Sequence, residues 1–498
     1  MKTRLHLRLD ILTIVAAMFW NGGNVYAQGY GSPLTIQGLS RLSVHSAAAA
    51  STGGISTGRS GEASSMFTNP TSLRGLEGIQ VSVGGFSIDE RQQQDQQWFP
   101  MRRFPTFSLM MEGLLDSIPA PDYTESPDEG FGPEDSIPRP FDSIRPNWAR
   151  SSQRRLPTEL LVAAPFELGG FRVAAGLGMV QYASLDHAYQ NNNVLSPSIG
   201  SQRPTGVPLP LNGEEIPVLW SQALQSREGA IYGYGGAVSV SVTENLAVGM
   251  SGSYLRGKTD DFETTTVRGR IRFGNNSGVY YYKLDSIYSV LQSVGTSTFT
   301  GYDFGLGAAY AGRTVTLSLS IRPPTSIERS ARSTRTHDTT GGVRTSNLSI
   351  RDRITFPWRG TAGISLAVRE DFRLAFEYDY RPLMSAEYED PSGTVTNPWL
   401  SANSFRVGGE YSPVSWAVLR AGYRSESEVF ESEGNPLIGD PVRYSVFTAG
   451  IGLRVFGARL NLGYEFSSIT YEDLWQTNAN LNSTTHERII ADVTYTLF

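Results

Sequence analysis

The sequence contains no cysteine, carries no excess of basic residues and has no long apolar run beyond its first residues. The absence of cysteine among 498 residues excludes disulfides and every cysteine-based metal or redox site. A formal net charge of -6 leaves no basic surface of the kind that binds nucleic acid. Outside the N-terminus no stretch reaches the roughly 20 apolar residues of a membrane-spanning helix. These absences exclude disulfide-rich, nucleic-acid-binding and helical membrane proteins.

The first 27 residues have the features of a secretory signal. Three basic residues within the first ten precede an apolar run, Ile11–Trp20, and residues 25–27 offer small side chains for cleavage before Gln28. We therefore expect residues 1–27 to be a signal peptide and the mature chain to be exported.

The remaining chain is dominated by alternation of apolar and polar residues. In Arg373–Arg381, Leu374 and Phe376 alternate with Glu377 and Asp379, and a period of two is typical of strands. The pattern continues through hairpin after hairpin, with aromatic residues on the apolar face and paired charges on the other. It predicts an all-β, antiparallel transmembrane barrel that is apolar outside and polar inside. We expect the inner charges, such as Arg406 with Glu410 and Arg373 with Glu377 and Asp379, to form ion pairs.

About fourteen strands are predicted, an even number as in single-chain outer-membrane barrels. Short turns and long connections alternate strictly between them, so all the long connections lie on one side of the membrane, outside the cell. The longest connection is the first, residues 89–157, which is rich in proline. The predicted strands are Ile79–Ile88, Thr158–Phe166, Phe171–Tyr182, Ala230–Val242, Leu246–Lys258, Tyr302–Tyr310, Thr314–Arg322, Arg353–Val368, Arg373–Arg381, Asn403–Tyr411, Trp416–Arg424, Arg443–Val455, Arg459–Thr470 and Arg488–Phe498.

One segment before the first strand resembles a known family. Ala63–Leu73, which reads Ala-Ser-Ser-Met-Phe-Thr-Asn-Pro-Thr-Ser-Leu, resembles the Asn-Pro-Ala segment of FadL/TodX-type transporters, with Thr71 in place of the motif's Ala. Phe356–Gly363 and Leu419–Arg424 are similar to late strands of that family. The resemblance implies a barrel over residues 79–498 with an N-terminal hatch, residues 28–78, inside it. It also implies uptake of hydrophobic molecules, such as long-chain fatty acids or aromatic hydrocarbons, across the bacterial outer membrane.

Two groups of residues are candidates for gating. Phe67, Asn69 and Pro70 belong to the hatch in this interpretation, although Asn-Pro is also an ordinary turn sequence. Gly176 and Gly178 permit a kink or bulge in the third strand, where the resemblance implies a lateral opening. The alternative is that these glycines only avoid crowding inside the barrel.

Three long connections contain apolar residues at helical spacing. We expect them to form short amphipathic helices that bind an apolar ligand at the outer surface, although packing of the loops against one another is an alternative that can hold at the same time. The candidate substrate-binding residues are Phe107, Leu109 and Met110 in the first segment, Leu219, Trp220 and Leu224 in the second, and Ile287, Val290, Leu291 and Val294 in the third.

Transport of this kind needs no chemistry, so we expect no catalytic residue, no metal and no cofactor. The expected partners are a hydrophobic small molecule, outer-membrane lipid and the barrel-insertion machinery, and the expected state is a monomer. One alternative is a scaffold or secretion-associated barrel of the same fold. Another is a lipase or protease at the barrel rim, for which His187, His337 and His486 are the available histidines.

Overall fold

The computed structural model describes residues 34–41, 43–96, 147–196, 210–285, 287–431, 441–475 and 478–497. Most of them lie in antiparallel strands, as the alternating sequence predicts. The strands are β1 (Ile79–Gln96), β2 (Trp148–Leu168), β3 (Phe171–Ser184), β4 (His187–Ser196), β5 (Glu215–Ser241), β6 (Leu246–Asn276), β7 (Val279–Asp285), β8 (Ser289–Ala311), β9 (Val315–Arg322), β10 (Thr325–Thr339), β11 (Gly342–Phe356), β12 (Arg359–Arg369), β13 (Phe372–Tyr380), β14 (Glu387–Glu389), β15 (Val395–Thr396), β16 (Ser404–Val414), β17 (Ala417–Glu431), β18 (Pro441–Val455), β19 (Ala458–Trp475) and β20 (Asn478–Leu497).

The strands close into one barrel of fourteen positions, because β1 pairs with β2 on one side and with β20 on the other. Three of those positions are each filled by two strands in line: β3 with β4, β9 with β10, and β11 with β12. The short strands β7, β14 and β15 are additions to the wall. The fourteen-stranded antiparallel barrel predicted from the sequence is confirmed.

Two neighbouring wall positions are interrupted at the same height. Pro323 and Pro324 separate β9 from β10, and Pro357 and Trp358 separate β11 from β12. Pairing resumes on either side of the breaks, with Arg322 opposite Arg359 below them and Thr325 opposite Phe356 above. Proline has no N–H to donate, so the hydrogen-bond ladder stops at this level in both positions.

The outer face carries a band of exposed apolar side chains close to the short turns. On β19, Leu462 and Tyr464 are exposed while their neighbours Asn461 and Glu465 are buried. The band covers about ten residues of each strand, which is the length of a tilted strand that spans a bilayer. A closed wall that is apolar outside and polar inside is a transmembrane barrel of the outer-membrane type, which confirms the predicted location.

Helices are short and few in the described part of the chain. They are α1 (Ala47–Ala50) and three 3₁₀ turns, Ala63–Ser65, Pro70–Leu73 and Leu383–Ser385. None of the helices among these residues is long and apolar enough to cross a membrane.

The strands continue far into the segments that the sequence assigns to loops. β5 and β6 remain paired from their short turn as far as Glu215 opposite Gly274. With 31 residues at about 3.3 Å each, β6 is about 100 Å long. The first connection is shorter than predicted, because β1 and β2 are paired as far as Gln94 opposite Trp148.

Two of the three predicted amphipathic helices are wrong. Residues 217–225 lie in β5, and β8 begins at Ser289 and includes Val290, Leu291 and Val294. Cross-strand partners on both sides satisfy these backbones, which overrides the helical spacing. In a strand that spacing divides the apolar residues between two faces, so Val294 is exposed while Leu291 is half-buried. The third predicted helix, residues 104–118 with Phe107, Leu109 and Met110, lies outside the described residues.

Residues 34–78, called the N-terminal segment below, lie inside the ring of strands. α1 contacts β18, β19 and β20, whereas the 3₁₀ turn Pro70–Leu73 contacts β5, β6 and β8 across the lumen. Most of the segment is buried although it has little regular secondary structure.

A charge placed in the apolar band tests the membrane boundary. We expect Leu462→Arg to destabilise the barrel in a bilayer by about 2–4 kcal/mol, because the guanidinium replaces a lipid-facing side chain. Val343→Arg is the matched control, since Val343 is 63% exposed at the outer end of β11 and Leu462 is 49% exposed in the band. Urea unfolding in lipid vesicles measures both, and equal stabilities would contradict the assignment of the band.

Candidate functional site

Arginines of the wall hold the N-terminal segment by its carbonyl groups. Six of them, from five wall positions because β9 and β10 share one, each donate to one backbone oxygen of the segment. These carbonyls have no hydrogen-bond partner within a helix or sheet of the segment. The arginines supply that partner, and this stabilises the fold because a buried carbonyl without a hydrogen bond costs free energy. The pairs are Arg227 to Thr35 at 2.9 Å, Arg329 to Leu34 at 2.7 Å, Arg322 to Phe67 at 2.6 Å, Arg406 to Gly54 at 3.2 Å, Arg488 to Val44 at 2.8 Å, and Arg381 to Ser40.

Glu377 on β13 provides the corresponding acceptor. Its Oε1 accepts from the backbone N–H of Ser56 at 2.9 Å and of Thr57 at 2.6 Å, and from both side-chain hydroxyls at 2.9 and 2.7 Å. Arg406 lies 3.5 Å from the other oxygen and pairs with Asp379 at 3.0 Å. The inner charges are ion-paired as predicted, but Glu410, the expected partner of Arg406, pairs with Arg59 and Arg420 instead. A buried carboxylate with four donors and a cation fixes residues 56–57 against the wall.

Asn69 and Pro70 form a cap and a turn against the opposite wall. The Asn69 side chain accepts from the Thr71 N–H at 3.2 Å and from its hydroxyl at 2.7 Å, and Pro70 begins the 3₁₀ turn. Pro70 lies so close to the wall that a Cβ added at Gly249 or Gly307 would come within 3.0 and 3.1 Å of its ring atoms. Both residues of the motif therefore have a structural role.

A cavity of about 310 Å³ lies between the N-terminal segment and the wall. This lumen cavity is lined by ten arginines and eight acidic residues together with His45, His187 and His486. The predicted gating residue Phe67 also lines it. The interior is thus a network of charges rather than an apolar tunnel, and moving an apolar molecule into it gains little from the hydrophobic effect.

The wall beside this cavity is unpaired along one line, which we call the seam. The ladder between β2 and β3 ends at Glu159 opposite Val180. Above that level β2 pairs with β1 and β4 pairs with β5, and no ladder joins β2 to β4 among the described residues. Val180 is the tenth residue of β3, so the seam begins at the outer margin of the apolar band. Residues from both of its edges line the lumen cavity.

A charged side chain crosses the seam. Arg154 of β2 lies 2.8 Å from Asp186, between β3 and β4, and 3.2 Å from Glu228 of β5. Burial raises the pKa of Asp186, against the opposing effects of the Gly229 N–H and Arg154. Side chains rather than a ladder therefore connect the two edges.

The two glycines of β3 lie just below the seam and have different neighbours. A Cβ at Gly176 would come within 2.6 Å of Met66 Sδ, and one at Gly178 within 2.3 Å of the Leu160 carbonyl oxygen. Gly176 thus allows close approach of the N-terminal segment, which agrees with the interpretation based on crowding. Gly178 allows close approach of the next strand two residues before the ladder ends.

A second, smaller cavity lies at the outer end of the seam. It measures about 140 Å³ and brings together Trp148, Tyr189, Leu224 and Phe262, which come from β2, β4, β5 and β6. This outer pocket shares Arg150 and Ala188 with the lumen cavity. Sequence analysis named only Leu224 among its residues. The other predicted binding residues of the described chain, Leu219, Trp220, Ile287, Val290, Leu291 and Val294, line neither cavity.

The histidines considered for catalysis make simple pairs. His337 Nε2 lies 2.9 Å from Ser289 Oγ, but the neighbouring Asp338 accepts from the Tyr288 hydroxyl instead. His486 lies 3.3 Å from Glu90. In the part of the chain that the structure describes, no group of three or more acidic or histidine side chains has the arrangement of a metal site.

No protein-family model and no curated protein sequence matches the chain. Solved structures match it over most of its length: a FadL homologue of Pseudomonas aeruginosa has a TM-score of 0.53 at 10% identity, covering 95% of this chain and 100% of the other. The toluene transporter TodX of P. putida has a TM-score of 0.53 at 14% identity, covering 90% and 97%. The monoaromatic hydrocarbon channel CymD has a TM-score of 0.50 at 12% identity, covering 93% and 99%. The chain shares their fold.

The shared fold confirms the fourteen-stranded barrel that the resemblance of Ala63–Leu73 implied. At these identities the comparison concerns the course of the chain and not the chemistry of individual side chains. The charges of the lumen cavity and the aromatic residues of the outer pocket are therefore features of this sequence that need an account of their own.

Removing the Glu377 carboxylate should release the N-terminal segment locally. In Glu377→Ala four donors lose their acceptor, and we expect a local destabilisation of about 3 kcal/mol. Hydrogen exchange of residues 50–60 should accelerate while the barrel keeps its heat-modifiable mobility on gels. Glu377→Gln, which retains one acceptor oxygen, should exchange more slowly than the alanine variant. Glu328→Ala removes an exposed carboxylate as the control, and equal exchange in all variants would contradict the role.

His45 gives the segment a pH dependence whose sign follows from burial. Burial, together with the nearby Arg322 and Arg488, lowers the pKa of His45 from 6.5 to about 4. The neutral form is therefore favoured in the folded state, so its stabilising contribution is complete above pH 6.5 and is lost between pH 6.5 and 4. The loss amounts to about 3 kcal/mol. Hydrogen exchange of residues 43–54 should accelerate on acidification more in the wild type than in His45→Gln; parallel profiles would refute the assignment.

Proposed function

We propose that this protein mediates passive uptake of hydrophobic small molecules across the outer membrane. The observation that carries the proposal is the seam, a line without a ladder in a closed wall, flanked by an apolar pocket outside and a cavity inside. The similarity in fold to a FadL homologue, a toluene transporter and a monoaromatic hydrocarbon channel supports it.

The outer pocket is the site of capture in this proposal. Three aromatic rings, Leu224 and Ala188 line a space of about 140 Å³, and Arg150 and the polar side chains of Gln92, Gln190, Gln225 and Ser226 complete its lining. Transfer of apolar surface from water to the rings is favourable by about 25 cal/mol per Å². Because these residues lie on paired strands, the pocket exists before the ligand arrives and little ordering is needed.

From the pocket the ligand passes along the seam. The route through the lumen meets ten arginines and eight acids, whereas the outer face of the wall below Glu159 and Val180 is the apolar band. An apolar molecule therefore gains free energy by leaving sideways into the bilayer. The side-chain bridge from Arg154 to Asp186 can open without breaking a ladder, since no ladder is present there.

The N-terminal segment acts as the hatch in this mechanism. Its carbonyls are held by six arginines from five wall positions, and Asn69 and Pro70 fix it against β6 and β8. The segment keeps the lumen closed to water and ions while the hydrophobic ligand leaves through the wall. No bond is made or broken, and the concentration gradient of the ligand supplies the driving force.

An uptake assay with a charge in the outer pocket tests this function. Cells that produce the protein should accumulate labelled toluene faster than cells without it. Leu224→Asp should reduce the rate about tenfold, because an ionised carboxylate in an apolar pocket opposes binding of a hydrocarbon. Val343→Asp is the control on the exposed end of β11. Uptake that does not depend on the protein, or is equal in both variants, would overturn the proposal.

A further inference from the structure

The arginines of the lumen cavity are paired with acids, with one exception. Nine of the ten have a carboxylate oxygen within 4.0 Å, while Arg150 has neither an ion pair nor a hydrogen bond among the described residues. The nine pairs are Arg41 with Glu428, Arg154 with Asp186, Arg227 with Asp261, Arg322 and Arg359 with Asp303, Arg381 with Glu426, Arg406 with Asp379, and Arg424 and Arg488 with Glu465.

The unpaired guanidinium lies where the two cavities meet. Arg150 lines both the lumen cavity and the outer pocket. Trp148 precedes it by two residues on the same face of β2 and lines the outer pocket as well. Above Glu159 this part of β2 has a partner strand only on the side of β1. The exposed, unpaired guanidinium of Arg150 therefore lies beside the outer pocket, at the edge of the seam.

We propose that Arg150 and the outer pocket together form a binding site for an acid with a small apolar body. The apolar body occupies the pocket of about 140 Å³, and the acidic group pairs with Arg150. A cavity of about 150 Å³ lined by apolar side chains holds one benzene molecule in another protein, so the pocket fits one aromatic ring. The chemical class is thus an aromatic carboxylate.

The chemistry of arginine suits this role. Its planar guanidinium matches a carboxylate with two parallel hydrogen bonds and stays charged at every physiological pH. The nine paired arginines do not offer this, because their carboxylate partners already occupy them. The inference deepens the proposed function, since it defines which small molecules the outer pocket prefers among those that fit it.

Binding measurements with two isosteric ligands test the site. Benzoate and benzamide have the same shape, and only benzoate is charged. Titrating the purified full-length barrel in detergent at low salt, we expect benzoate to bind about threefold more tightly than benzamide, as for an exposed ion pair. Arg150→Gln should remove that preference and leave benzamide binding unchanged. Raising the ionic strength should weaken benzoate binding alone, because an exposed pair is screened.

The control variant lies five residues away on the same strand. Arg155 is exposed and belongs to the opposite face of β2, so Arg155→Gln changes the net charge equally without altering the site and should keep the preference for benzoate. Equal binding of the two ligands to the wild type, no benzoate binding at all, or an undiminished preference in Arg150→Gln would overturn the proposal. If the carboxylate site is refuted but protein-dependent uptake of toluene continues, the proposed transport function still holds. A lack of protein-dependent toluene uptake would refute the transport function, whatever the result for benzoate.

Discussion

The structure depends on hydrogen bonds between a wall made of regular strands and an irregular segment enclosed by it. A fourteen-stranded barrel is too wide for its own side chains to fill, and a segment with almost no helix leaves its peptide groups unpaired. Arginine side chains are long enough to extend from the wall to the segment, and each has several N–H donors. They therefore donate hydrogen bonds to the segment's carbonyl groups. Their charge is in turn balanced by acids such as Glu377 and Glu465. The polar interior and the enclosed segment therefore require each other.

This constraint explains why the lumen and the outer pocket differ in chemistry. Wherever the N-terminal segment contacts the wall, side chains of the wall must supply hydrogen-bond donors and acceptors to it. Many of these side chains are charged, and they also line the lumen cavity beside the segment. The segment's contacts extend to Arg227, which donates to the Thr35 carbonyl, and to Glu263, which accepts from the Leu34 N–H. Trp148 and Phe262 line the outer pocket instead, where their rings supply an apolar surface.

The sequence predicts the strands correctly in the part of the barrel that contacts lipid. Above that part the predicted strand ends are less accurate. Within the band one face of each strand must be apolar, so apolar and polar residues alternate clearly along the sequence. Turns such as Phe456-Gly457 therefore lie where the sequence predicts them. Above the band both faces meet water and the alternation disappears, which is why Trp148–Pro157 was predicted to be a loop. The outer pocket could not be predicted because its residues come from five strands and only the register of those strands brings them together. Leu224 was named for its hydrophobicity, but in a helix that the strand pairing replaces.

The breaks at Pro323-Pro324 and Pro357-Trp358 interrupt the hydrogen-bond ladder between two neighbouring wall positions at one height. Below them the barrel is a continuous cylinder whose shape is fixed by ladders on every side. Above them the hairpin of β10 and β11 is joined to its own lower half by residues without ladder bonds, and it is paired along its length with β8 alone on one side. The hairpin stays tied to β8 by the ladder from Ile327 to Thr339, and β8 runs unbroken through the level of the breaks. This part of the rim can therefore bend at the breaks only together with β8.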